Sequence, residues 1–171
     1  NRVRVMAMVH ERLYRSSDIA ALDIATYLRT ITNQILAYQG EARFPTRLKI
    51  DVEQIPVDID TAIPLGLITN ELLSNAIKYA FPEGSPGTVS IRGKRAGPDL
   101  YEFLFSDNGV GMPRDFDWRN ADSLGLRLVN SLVEQMGADI ERIEGPGTGF
   151  RIVFRIKRNS PKALGPANSD S

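Results

Sequence analysis

The run at residues 61–80 constrains this chain most: its apolar residues recur at helical spacing, and three polar side chains, Glu71, Asn75 and Lys78, interrupt them at i, i+4 and i+7. On one α-helix those three stack along a single edge, while Leu72, Leu73, Ala76 and Ile77 fall on the adjoining arc. Such a helix must bury its apolar arc against another layer and still offer a carboxylate, an amide and an ammonium together. Each type has a chemical use. An Asn oxygen is a hard, neutral ligand for Mg²⁺, which keeps several waters and also takes phosphate oxygens. Lys78 supplies a mobile point charge for phosphates. Glu71 suits orienting or deprotonating a hydroxyl, imidazole or water within hydrogen-bond reach. Charges at this spacing are equally ordinary on solvated helix edges, so the trio needs a second signal.

Alternation elsewhere supplies the partner layer. Leu48, Ile50 and Val52 alternate with Lys49, Asp51 and Glu53. Val89 and Ile91 mark a second strand and Tyr101, Phe103 and Phe105 a third, with the Ala96-Gly97-Pro98-Asp99 turn between them. Phe150, Ile152, Phe154 and Ile156 alternate with Arg151, Arg155 and Lys157 in a last strand. Helical stripes fall on Ile24, Leu28, Ile31, Ile35 and Tyr38, ending near Gly40, and on Leu124, Leu128, Leu132 and Met136. Pro64 is placed in the first turn of the 61–80 helix, where its missing N–H is tolerable, and Pro82 closes that helix. The order predicts an α/β two-layer sandwich, one mixed sheet covered on one face by about three helices, with the other face wet. Residues 159–171, rich in Ser, Pro, Ala and Gly without an apolar period, are read as a disordered tail.

The second signal is the strand end Phe103-Leu104-Phe105-Ser106-Asp107-Asn108-Gly109-Val110-Gly111-Met112-Pro113. Two glycines one residue apart permit positive φ and close backbone approach to a ligand. An ionised Asp accepts hydrogen bonds and donates none, so Asp107 suits an exocyclic amine such as adenine N6. Asp-Asn-Gly is also common turn chemistry. Two further glycine sites follow, Ser123-Leu124-Gly125-Leu126 opening a helix and Gly145-Pro146-Gly147-Thr148-Gly149-Phe150 leading into a strand.

Composition narrows the class. Across 171 residues, 21 Lys and Arg balance 21 Asp and Glu, and no basic stripe interleaved with aromatics appears, so nucleic-acid binding has little support. There is no cysteine for a disulfide framework or thiol chemistry, and the single histidine, His10, excludes most zinc-ligand sets. The longest uncharged run, residues 30–40, falls far short of the ~20 apolar residues of a membrane span. No Gly-x-x-x-x-Gly-Lys-Ser/Thr loop occurs.

In this order and spacing the four blocks resemble the GHKL ATP-binding superfamily with its Bergerat sandwich, and most closely the catalytic domain of bacterial sensor histidine kinases, over residues 18–157. Residues 69–81 look like the N box, 107–111 the first glycine box, 123–129 the second and 147–150 the last. Asn70-Glu71-Leu72, Asn75-Ala76 and Lys78-Tyr79-Ala80-Phe81 resemble the HisKA_2 type, since commoner kinases carry Asn or His where Glu71 stands. Val9-His10-Glu11-Arg12-Leu13-Tyr14 looks like the end of that subfamily's second dimerisation helix. The expected division is therefore dimerisation helix at 1–16, ATP-binding domain at 17–158 and tail at 159–171, in a piece of a longer protein. Two departures stand out: Ser123 replaces a glycine often seen in the second box, and only about ten residues form the lid between Met112 and Ser123. Phe116 and Trp118 in that lid are candidates for nucleotide contact or for local packing.

The resemblance implies ATP beneath the lid, its adenine on Asp107 and the wall near Gly111 and Met112, and its phosphates held by Mg²⁺ on Asn75 with help from Lys78. Tyr79, Gly109, Gly125, Leu126 and Thr148 complete the implied nucleotide site, and Glu71 orients the acceptor. It further implies transfer of the γ-phosphoryl group to a histidine upstream of this sequence and onward to an aspartate of a response-regulator receiver domain, in a homodimeric parent whose catalytic part is cytoplasmic. A serine-kinase anti-sigma factor shares the fold and the acidic N-box residue; the stripe of Val5, Met6, Val9 and Leu13 speaks against it, because such proteins need no dimerisation hairpin. A gyrase- or chaperone-type ATPase would need further domains, and a nucleotide-binding module without chemistry would not need Asn75, Lys78, Asp107 and both glycines of the first box. His10 is not the expected acceptor, because the segment after it lacks the Arg-Val-Lys-Asn-Asn pattern of the subfamily. The chain incubated with labelled ATP should acquire no acid-labile phosphate; label that vanishes in His10→Gln would overturn that expectation.

Overall fold

The computed structural model describes residues 22–39, 47–82 and 85–156. The 3–14 stripe with His10, the Gly40 helix end, Lys157 and the 159–171 segment lie outside the described residues.

Five strands form one mixed sheet in the order β2 (Arg47–Val52), β4 (Thr88–Arg95), β5 (Leu100–Asp107), β7 (Gly149–Arg155) and β6 (Asp139–Arg142). β2 runs parallel to β4, and every other neighbouring pair is antiparallel. A separate two-stranded ribbon pairs β1 (Leu22–Asp23) with β3 (Pro56–Val57). The period-2 alternation puts Val89, Ile91, Tyr101, Phe103, Phe105, Phe150, Ile152 and Phe154 on one face, all buried. Helices α1 (Ile24–Gln39), α2 (Ile59–Asn75) and α3 (Leu124–Gln135) cover that face, the expected two-layer arrangement. The opposite face carries an ion-pair ladder across four strands, β4, β5, β7 and β6, with Arg151 Nε on Glu102 at 2.6 Å, Arg151 Nη1 on Glu141 at 3.0 Å and Lys94 Nζ near Glu102 at 3.7 Å. The Arg151 hydrogen bond is the main force holding the Glu102 carboxyl below the usual carboxylate range.

Three local features differ from the sequence expectation. α2 starts at Ile59, capped by the Asp58 carboxylate on the Thr61 N–H at 2.9 Å, so Pro64 sits past the first turn. It also does not run to Ala80 as one α-helix, because residues Ala76–Ala80 widen into a π-helical turn. On α3 the buried face is Gly125, Leu126, Val129, Leu132 and Val133; Leu128 and Met136 are half-buried and Leu124 is 67% exposed. The stripe is rotated from the expected one because two leucine sets share the helix and the sheet takes the one centred on Val129.

α1 crosses α2 at Gly66, where an added Cβ would meet the Tyr27 hydroxyl and lie 2.8 Å from Ile31 Cδ1. The buried Tyr27 hydroxyl has no hydrogen-bond partner among the described residues. Gly66→Ala should therefore cost about 1–3 kcal/mol by overpacking, despite alanine's better helix propensity. Tyr27→Phe alone should be close to neutral, since it removes an unpaired buried hydroxyl, and should recover part of the Gly66→Ala loss when combined with it. Denaturant unfolding of the three variants checks this; a large loss in Tyr27→Phe would mean the hydroxyl has a partner.

Candidate functional site

A cavity of 520 Å³ lies between the C-terminal half of α2 with its π-helical turn, the ends of β5 and β7, and the N-terminus of α3. Glu71, Asn75, Lys78, Tyr79, Asp107, Gly111, Met112, Gly125, Leu126 and Thr148 all line it. Gly109, the remaining residue singled out from sequence, does not line it and works behind the wall as a hydrogen-bond donor.

Asp107 is the last residue of β5, on the buried face of that strand two residues after Phe105. Its Oδ1 accepts the Gly109 N–H at 2.9 Å and the Thr148 N–H at 3.1 Å. No hydrogen bond reaches Oδ2 from the described residues, which leaves one carboxylate oxygen as an acceptor in the cavity wall. Burial pushes the Asp107 pKa above the usual carboxylate value, and the two backbone donors pull it partly back. The Thr148 N–H reaches Asp107 because Gly147 has no side chain; a Cβ there would strike the Asp107 Oδ1 itself.

The helix side contributes charge in a graded way. Glu71 is buried at 5% exposure, with the Asn70 amide 3.4 Å from its Oε1, whereas Asn75 is half-buried and Lys78 exposed. The π-helical turn begins one residue after Asn75, so Lys78 no longer follows the α-helical spacing that would stack it on Glu71 and Asn75. It lines the mouth instead, beside Tyr79, which is 70% exposed. On the other bank Ser123 caps α3, its Oγ accepting the Leu126 N–H at 3.2 Å. The serine that departs from the expected glycine therefore has a structural task, and it leaves the first turn of α3, with its partial positive charge, on the cavity.

The lid is fastened down. Trp118 is buried and meets Phe150 edge-on at 5.0 Å, with the Arg119 guanidinium 4.6 Å over its outer face. Arg119 also donates to the Ile140 carbonyl at 2.6 Å, and Asn130 to the Arg119 carbonyl at 3.0 Å. Of the two lid aromatics only Phe116 lines the cavity; Trp118 packs locally.

The residues named for the nucleotide site from sequence did not include Phe105 and Phe150, a registered pair on β5 and β7 that lines the cavity, nor Ser74, Ser123 and Leu124, which fall within the boxes and line it too. Phe105 was findable, since it lies two residues before Asp107 on the same strand face. Among the described residues no group of three or more His, Cys, Asp or Glu is placed to hold a metal, and no helix is long and apolar enough to cross a membrane.

Comparison with known proteins agrees with this geometry. The family described as Histidine kinase-, DNA gyrase B-, and HSP90-like ATPase matches residues 60–160, and the Histidine kinase family HisKA_2 matches residues 1–39. Blue-light-activated histidine kinase 2 of Erythrobacter litoralis (strain HTCC2594) is 32% identical over 160 residues, covering 89% of this chain and 45% of that protein. Sensor histidine kinase PdtaS of Mycobacterium tuberculosis (strain ATCC 25618 / H37Rv) is 29% identical over 159 residues, covering 91% of this chain and 31% of that protein. The chain thus spans less than half the length of these two curated relatives. Among solved structures, the histidine kinase domain from Erythrobacter litoralis EL346 blue-light activated histidine kinase superposes with a TM-score of 0.76 at 28% identity, covering 91% of this chain and 72% of that one. The chain belongs to the histidine kinase-, DNA gyrase B- and HSP90-like ATPase family.

Proposed function

We propose that this chain is the ATP-binding catalytic domain of a sensor histidine kinase, the ATP-binding unit lying at residues 17–158. The observation that carries the reading is one cavity whose inner wall offers a free Asp107 oxygen and whose outer wall offers Asn75, Lys78 and the first turn of α3. An adenine fits the first end by donating its exocyclic amine to Asp107 Oδ2, and a polyphosphate fits the second by charge. One amide oxygen with a carboxylate a helical turn away suits Mg²⁺, which keeps waters and shares phosphate oxygens, so Asn75 would hold it; the ion would neutralise phosphate charge there.

In the reaction, an imidazole nitrogen of a histidine elsewhere in the parent forms a bond to the γ-phosphorus as the bond to the bridging β–γ oxygen breaks, and ADP leaves with that oxygen. Glu71 orients the imidazole and accepts the proton it gives up. Catalysis is otherwise positioning and charge neutralisation. The phosphoryl group then passes to an aspartate of a response-regulator receiver domain, in a homodimeric parent whose catalytic part lies in the cytoplasm. The match of the Histidine kinase family at residues 1–39 supports this reading over a serine-kinase anti-sigma factor.

Titration calorimetry tests the site. Asp107→Asn keeps an acceptor for the Gly109 and Thr148 donors but turns the free acceptor into a donor, so ATP affinity should fall by about 1–3 kcal/mol, roughly 5- to 150-fold, relative to GTP. Asn75→Ala should flatten the Mg²⁺ dependence. Acidification should weaken ATP binding as the pH falls through the raised Asp107 pKa, earlier than an ordinary aspartate would, and Asp107→Asn should lack that step. Stability of the unliganded fold should follow the opposite sign: because the folded pKa is raised, ionisation of Asp107 opposes folding, and the stability that the protonated form contributes should be lost as the pH climbs from 3.8 through the raised value. Equal ATP and GTP affinity in the unsubstituted protein would sink the Asp107 assignment.

Glu71→Gln in the parent kinase separates chemistry from binding. Phosphoryl transfer should slow by about 100-fold while nucleotide affinity changes little. An unchanged transfer rate would reduce Glu71 to a packing role.

A further inference from the structure

Arg142 is the last residue of the edge strand β6 and pairs in register with Phe150, whose ring lines the cavity. Its guanidinium turns off the sheet and donates twice to consecutive carbonyls of the chain leaving the first glycine turn, Nη2 to Met112 at 2.6 Å and Nη1 to Pro113 at 2.9 Å. Met112 and Pro113 line the cavity, and the residue before them, Gly111, adopts φ 73°, a conformation with little restraint of its own. Pro113 has no N–H with which to join a ladder.

The segment between Asp107 and Pro113 is pinned elsewhere as well. The Asp107 N–H donates to the Thr148 carbonyl at 2.8 Å, Asn108 exchanges bonds with the Thr88 backbone at 2.6 and 3.2 Å, and the Val110 N–H donates to the Ala80 carbonyl at 2.9 Å. All of these lie before Gly111. Beyond it, among the described residues, the Arg142 fork is the bond from another element that fixes the backbone of Met112 and Pro113.

We propose that Arg142 is a positioning residue for the nucleotide: by clamping the Met112 and Pro113 carbonyls it sets the wall against which the base lies, at the Asp107 end of the cavity. The inference rests on the reading of that end as the base site. A planar guanidinium serves both carbonyls at once, whereas a lysine ammonium, a point donor on a flexible stem, holds them with less geometric restraint.

The test compares Arg142→Gln, Arg142→Lys and a charge control, Arg151→Gln on the opposite sheet face, for binding of ADP and of adenosine to the whole chain, with thermal melting alongside. Arg142→Gln should lose about tenfold in affinity for both ligands by the same factor, because the wall serves the base and not the phosphates. Arg142→Lys should recover part of the loss, and Arg151→Gln should bind as the unsubstituted chain does. A loss seen with ADP alone would make Arg142 a long-range phosphate attractor and overturn the proposal. So would a lowered melting temperature with unchanged affinities, which marks a purely structural bond. Should Arg142→Gln prove unfolded, Arg142→Lys decides: affinity equal to the unsubstituted chain for both ligands, with the two carbonyls shifted in its crystal structure, defeats the proposal. Failure of the unsubstituted chain to bind ADP at all would instead remove the base-site reading beneath it.

Discussion

One carboxylate oxygen joins two parts of the chain 41 residues apart: Asp107 Oδ1 takes the N–H of Gly109 from its own turn and the N–H of Thr148 from the approach to β7. The rest of the site depends on that junction. It closes the inner end of the cavity, sets Gly147 and Gly109 where a Cβ would not fit, and leaves the second oxygen facing the space inside. Keeping the Asp107 carboxylate largely out of solvent is costly without donors, and among the described residues the backbone supplies donors to one of its two oxygens. The raised pKa of Asp107 is the trace of that incomplete compensation, and the amine of the proposed adenine ligand would complete it. Under that reading, stability given up at Asp107 would be returned on binding, a pattern expected where function and folding compete for the same group.

The opposite end follows another logic. Where α2 widens into the Ala76–Ala80 turn, the Ala80 carbonyl is turned to receive the Val110 N–H at 2.9 Å, which ties the helix end to the glycine turn. An α-helix continued to Ala80 would keep Lys78 stacked over Asn75; the wider turn carries Lys78 and Tyr79 to the mouth instead. The price of one irregular turn is a cavity with distinct inner and outer chemistry.

Much of this was legible in the sequence, for a physical reason. Half-buried strands have period 2, so Leu48 to Val52, Tyr101 to Phe105 and Phe150 to Phe154 declared themselves through alternation. The four-residue edge strand Asp139–Arg142 did not, since Ile140 is its only apolar residue and the alternation has nothing to repeat. The two-residue strands β1 and β3 are shorter than any period. The π-helical turn has no composition signal: Ala-Ile-Lys-Tyr-Ala reads as good α-helix, and the bond its last carbonyl takes from Val110 in the glycine turn is long-range. Among the site residues, those tied to local spacing were found. Arg142 was not, because nothing in Ile-Glu-Arg-Ile marks an arginine whose partners lie 29 and 30 residues earlier in the chain.

The cavity is shut at one end and open at the other, as the proposed transfer of a phosphoryl group to another segment requires. The closed end collects the specific bonds: Asp107, the Arg142 fork, and Trp118 wedged against Phe150 under Arg119. The open end collects exposed groups, with Lys78 and Tyr79 on one bank and Leu124 on the other. Leu124 could have been turned inward by the rotation of α3 that the sequence stripe suggested, at the expense of Val129 and Val133 in the core. The sheet instead claims the valine face, and Leu124 is left at the mouth. Packing of the core and the shape of the opening are therefore decided by the same helix rotation, and a substitution that deepens the α3 core by turning the helix would narrow the passage between the two banks.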